Sequence, residues 1–165
     1  MSDREEAGAV IESVDGRRES LFEYAGGAPA FQALAAALHE RCLADPVLNH
    51  PFSHPGQHPE HVERLGMYLA EVFGGPPVYS QTCGTHFGVL DLHAGQGADD
   101  DLGERFVRCF VLACDDAGLP GDPAFRGALR DYMTWAAADV MRYSPPGSRV
   151  PAGVRMPHWT WEGPR

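Results

Sequence analysis

The stretch from Pro59 to Pro77 most constrains the fold. Val62, Leu65, Leu69 and Val72, extended by Phe73, recur at the spacing of one helix face, and Gly74-Gly75-Pro76-Pro77 then stops the helix. Pro59 suits the first helical position, with His58 near the cap and Glu60 in the acid-favouring first turn. Such a stripe must be buried against other elements, and the rest of the chain supplies helices to do it. Phe31, Leu34, Ala35, Leu38 and Cys42 define a helix over 28–43. Leu102, Phe106, Phe110 and Ala113, widened by Val107 and Val111, define another over about 101–117. Asp122 caps a last helix with Pro123 at its first position, running to about 143 with Leu129, Met133, Ala136 and Val140 facing in. Shorter helices are expected at 20–24 and around Val89, Leu90 and His93, with 78–87 as a loop. No period-two pattern is present, so the expected fold class is all-α. Residues 1–19 read as a flexible lead-in and 20–143 as the folded domain. The Pro/Gly/Arg-rich tail, 144–165, reads as an unstructured extension or, through Trp159 and Trp161, as a segment docked on the body or a partner.

Composition narrows the class of function. A formal charge of -10 disfavours nucleic acid and anionic membranes as partners. No apolar run approaches the ~18 residues of a membrane span. The acidic N-terminus carries no signal-peptide core, so a cytoplasmic location is expected. Cys42, Cys83, Cys109 and Cys114 form no CxxC and read as reduced packing thiols. There is no P-loop, GxGxxG, HExxH or G-x-S-x-G.

Histidines remain as candidates. His93 closes the short apolar run Gly88-Val89-Leu90-Asp91-Leu92. Its bland reading is a histidine bonded to a backbone carbonyl or exposed at a segment end. Its sharper reading is a metal ligand whose second nitrogen a carbonyl orients. His50, His54, His58 and His61 lie at spacings of four, four and three, which invites a zinc site, but Pro51, Pro55 and Pro59 forbid one continuous helix and favour a polar loop. In a helical domain rich in Phe, Leu and Val, an inward histidine suits a haem iron. Zinc binding, or a haem-free helical module that engages a partner through its tail, remains the alternative.

The run from Leu21 to about Arg142 resembles the truncated haemoglobins, closest to their second group. The resemblance rests on Glu23-Tyr24-Ala25-Gly26-Gly27 with Phe31, Ala44-Asp45-Pro46-Val47-Leu48 ahead of Phe52, Glu63-Arg64-Leu65 before Phe73-Gly74-Gly75-Pro76, Tyr79-Ser80, and Asp131-Tyr132. It implies a two-over-two helical sandwich around one haem b, with His93 as proximal iron ligand. It places His61, His39, Leu65 and Phe106 around the distal ligand site. Phe52, Leu69, Phe73 and Leu90 fall at the porphyrin, and Arg64 and Tyr79 near its propionates. It further implies a diatomic gas ligand (O2, with NO or CO as others), an unidentified reductase, and a monomer or homodimer. Reversible O2 binding, NO dioxygenation and a peroxidase-like reaction are the family activities this pattern leaves open. Three positions depart from the family: His39 stands where a tyrosine is usual, Phe106 where a tryptophan is usual, and the segment from Ser80 to His93 is one residue longer. His86 is the alternative proximal candidate.

Overall fold

The Ser20 hydroxyl accepts the N–H of Glu23 and opens α1 (Leu21–Ala25), which Gly26 closes at a φ of +115°. The computed structural model describes residues 19–49, 58–97 and 101–165. α2 (Ala28–Ala44) begins on Pro29 and buries Phe31, Leu34, Ala35, Leu38 and Cys42, as their spacing requires. After α2 the Asp45 carboxylate accepts the N–H groups of Val47 and Leu48 at 2.8 and 3.1 Å and ties the turn to Arg105.

α3 (His61–Val72) starts two residues later than Pro59. The His58 ring accepts the N–H of Glu60, and the His58 carbonyl accepts that of His61, so this turn precedes the helix rather than belonging to it. The Gly-Gly-Pro-Pro stop acts where expected. At Gly75 an added Cβ would sit 2.8 Å from the Ala70 carbonyl oxygen and 2.8 Å from the Phe22 ring, so nothing larger than hydrogen fits. The segment expected as a loop contains a helix, α4 (Val78–Thr82). The signal was polar and lay on another element: the buried carboxylate of Glu71 accepts the backbone N–H of Ser80 at 3.0 Å and also its hydroxyl.

α5 (His86–His93) is capped by Thr85, whose hydroxyl accepts the N–H of Gly88. Its far end is anchored to the last helix, because Gly95 and Gly97 donate to the carbonyls of Tyr143 and Ser144, each at 2.8 Å. α6 (Leu102–Asp116) and α7 (Pro123–Arg142) follow. Arg126 joins them by donating to the carbonyls of Pro120 and Leu119 in the connection and to the Asp115 carboxylate. α2 packs on α3 and on α6, and α6 packs on α7. Two helix pairs thus face each other across one core, in which Phe31, Phe73, Phe110, Phe125 and Tyr132 are fully buried. The all-α expectation holds for the body.

The tail is ordered and lies on that body. Trp159–Thr160 (β1) and Gly163–Pro164 (β2) pair antiparallel, with Trp159 opposite Pro164. Trp159 is buried beside Tyr132 and Trp135. Trp161 stands edge-on to Tyr24 at 5.0 Å and donates its indole N–H to the Glu19 carbonyl at 2.7 Å. Of the two sequence readings of this segment, docking on the body is the one observed.

Candidate functional site

α3 and α5 each present a row of residues at helical spacing. On α3 the row is His61, Leu65 and Tyr68; on α5 it is His86, Leu90 and His93. The two rows meet at Tyr68 and His86, where the phenol oxygen lies 2.7 Å from Nδ1 of the imidazole. Beyond that meeting point stand His61 on one helix and His93 on the other.

His93 is exposed, and its Nδ1 lies 2.7 Å from the carbonyl oxygen of Val89. A carbonyl only accepts, so Nδ1 carries a proton, and in the neutral ring Nε2 carries the lone pair. An imidazole oriented in this way is a ready nitrogen donor to a metal. His86 is the opposite case. It is buried, its Nδ1 is taken by Tyr68, and its Nε2 faces the Asp139 carboxylate at 3.9 Å. Burial holds the His86 imidazole below its ordinary value against the raising effect of Asp139. Buried and with Nδ1 taken by Tyr68, His86 is a poorer candidate for a ligand than His93.

His39 on α2 and His61 on α3 form a pair, with His39 Nδ1 3.1 Å from His61 Nε2 and ring centroids 4.6 Å apart. The bond directions follow from a third group. His61 Nδ1 lies 3.2 Å from the carbonyl of His58, so it carries a proton. His61 Nε2 is then the acceptor when the ring is neutral, and His39 Nδ1 donates to it. Burial, and next the charge of His61, hold His39 below the usual imidazole value, against Glu40. A depressed value favours the neutral ring in the folded chain. As pH falls below the ordinary imidazole range, the unfolded chain takes the proton first, so stability is lost on the acid side and is unaffected above it. The His39→Phe variant is therefore expected to lose less stability between pH 7 and pH 5 than the wild type, measured by urea denaturation across that range.

Leu65 and Phe106 are half-buried, as is Val89, while Leu69, Phe73 and Leu90 are buried. Phe73 sits between Phe31 and Tyr132, with centroids 5.5 and 4.9 Å away. Arg64 donates to the Cys83 carbonyl at 2.8 Å, and Tyr79 is buried with its ring edge-on to Tyr68 at 5.2 Å. Phe52, His50 and His54 lie outside the described residues. Among the described residues no group of three His, Cys, Asp or Glu side chains could hold a metal ion, and all four cysteines are free thiols. Sequence reading did not find the Tyr68–His86–Asp139 contact, because its members come from three helices. Only the seven-residue spacing of His86 and His93 hinted that both share a face.

Two helix pairs crossing over one core, with an oriented imidazole on one short helix and a histidine pair on the facing ones, define a globin arrangement. The bacterial-like globin family model matches residues 20–138, and the chain belongs to that family. The family implies a haem cofactor, and the residues present fit one: a nitrogen donor with its second nitrogen held, and apolar side chains on the helices around it. Haemoglobin from Chloroflexus aurantiacus is 26% identical, with a TM-score of 0.63 over 74% of this chain and 98% of that one. A thermostable haemoglobin from Thermobifida fusca is 29% identical, with a TM-score of 0.60 over 74% and 96%. The group II truncated haemoglobin of Bacillus anthracis, 20% identical, shares the fold at a TM-score of 0.64 over 83% and 98%. The resemblance to truncated haemoglobins of the second group and the two-over-two sandwich both hold. No curated protein matches the sequence. Among the described residues no helix is long and apolar enough to cross a membrane.

Proposed function

We propose that this chain would hold one haem b through His93 and bind O2 reversibly beside His61 and His39. The carrying observation is the orientation of His93: its Nδ1 is bound to the Val89 carbonyl and its Nε2 is a lone-pair donor. When bound, the haem supplies a ferrous iron that takes a diatomic gas. The chain supplies everything else. Leu65, Leu90 and Phe106 would exclude water from the porphyrin, and Leu69 and Phe73 back them from the core; the resemblance adds Phe52, which lies outside the described residues. The other N–H donors of Arg64 bind a propionate, and Tyr79 lines the same side. Bound O2 carries partial negative charge, which a neutral imidazole N–H stabilises. To donate, the histidine pair must exchange one of its present bonds, either His61 to the His58 carbonyl or His39 to His61, for a bond to the ligand.

NO and CO fit the same site. NO dioxygenation requires an electron supply from a reductase, and a peroxidase-like reaction requires a reducing substrate. The test is direct. The reduced, haem-loaded protein is equilibrated with O2, degassed and re-equilibrated. Two interchangeable spectra, oxygenated and deoxygenated, are expected. Immediate conversion to the ferric form with no oxygenated spectrum at any O2 pressure would contradict reversible binding.

A further inference from the structure

The short helix that carries His93 stands apart from the others. Close helix-to-helix packing joins α2 to α3 and α6, α6 to α7, and α3 to α4, and α5 is in none of these pairs. Polar ties set its place instead. Past its C-terminal end, Gly95 and Gly97 donate to the carbonyls of Tyr143 and Ser144, just beyond α7. At its N-terminal end the tie is His86, seven residues before His93 and on the same helix face. The His86 ring is buried, whereas His93 is exposed. Its Nδ1 lies 2.7 Å from the Tyr68 hydroxyl of α3, and the two rings stack with centroids 6.1 Å apart and 22° between their planes. Among the described residues this is the one side-chain hydrogen bond that joins α5 to α3. Nε2 faces the Asp139 carboxylate of α7 at 3.9 Å, and Asp139 in turn pairs with Arg142 at 3.3 Å. The separation of Nε2 from Asp139 is too long for a hydrogen bond. A lone pair aimed at a carboxylate is nonetheless unfavourable, so the proton belongs on Nε2. Nδ1 is then the acceptor, and the Tyr68 hydroxyl donates to it. Burial favours the neutral ring that this bond needs. A bond within its own helix, of the kind His93 makes to Val89, would satisfy the ring equally well. The bond to α3 does more, because it fixes where α5 lies.

We infer that His86 is a positioning residue for His93: bonded to Tyr68 and oriented by Asp139, it sets the place and tilt of α5 against α3, and with them the direction of the His93 lone pair. The Val89 bond fixes the His93 ring to α5, so ring and helix move as one. The inference deepens the haem reading above and rests on it. The two histidines of α5 divide the work through opposite tautomers. His86 keeps its proton on Nε2 and spends Nδ1 on the neighbouring helix. His93 keeps its proton on Nδ1 and leaves Nε2 open.

Two measurements test this. In the full-length chain without haem, nitrogen-15 NMR of the imidazoles is expected to find the His86 proton on Nε2. A proton on Nδ1 instead would overturn the inference and leave the haem reading untouched. In the reduced, haem-loaded protein without gas, the iron–histidine stretching band is read by resonance Raman. It is expected to shift and broaden in Tyr68→Phe and in His86→Leu, both of which cut the tie to α3. His86→Asn, whose side-chain carbonyl can accept the Tyr68 proton in place of Nδ1, is expected to return the band to its wild-type position. One haem per chain is expected in all three variants. A purely structural role would lower their stability and leave the band where it is. A wild-type band in Tyr68→Phe or His86→Leu, or a band in His86→Asn displaced as far as in His86→Leu, would overturn the positioning role with the haem reading intact. A wild-type chain that takes up no haem, or shows no iron–histidine band, would overturn both.

Discussion

The His93→Gly variant is expected to lose tight haem binding and to recover a bound, coloured state when free imidazole is supplied. The reasoning is local. Val89 holds one nitrogen of His93 in place, so the side chain contributes a pre-oriented donor, and deleting it removes the bond to iron proposed for this residue. Free imidazole can re-enter the space left by the ring. His86 cannot substitute, because freeing either of its nitrogens breaks a contact to Tyr68 or Asp139 within a buried cluster. The measurement is haem transfer to excess apomyoglobin, followed at the Soret band. Fast loss in His93→Gly, slowed by imidazole, is the expected result. Unchanged retention would return the proximal role to His86 or to a residue outside the described segments. The same measurement on His86→Phe is expected to show little change.

The second large effect concerns the ligand. Removing both proposed distal donors together, in His39→Phe with His61→Leu, is expected to raise the O2 dissociation rate by roughly ten- to a hundredfold, equivalent to the ~1–3 kcal/mol of a hydrogen bond to a charged acceptor in a dry pocket. Each single variant is expected to do less. His61 is held at both nitrogens and His39 bonds to it through Nδ1, so each single variant leaves one imidazole N–H donor in place. Stopped-flow displacement of O2 by CO reads this directly. A double variant with the wild-type rate would show that neither ring reaches the bound gas.

Much of the body was legible because its signals are local. Apolar residues recur at helical spacing on α2, α3, α6 and α7, and Gly or Pro stops separate them. The missing helix, α4, depends on a carboxylate nine residues earlier, and no propensity within Val78–Thr82 reveals that contact. The late start of α3 reflects the His58 turn, which competes with the helix for the same backbone donors. The tail was the hardest segment to read. Its composition looks like that of a loose extension, and its order comes from two tryptophans meeting Tyr24, Tyr132 and Trp135, residues distant in sequence. For the candidate site, spacing and resemblance singled out His93, His61 and His39. The pairing of His39 with His61 could not be read in that way, since it joins two helices.

The central claim, that a porphyrin iron is held by this helical body, is tested most directly by titrating the full-length apoprotein with hemin and following Soret absorbance. The account calls for a sharp endpoint at one haem per chain, with an absorption maximum distinct from free hemin. A featureless, non-saturating rise identical to that of hemin in buffer would contradict it.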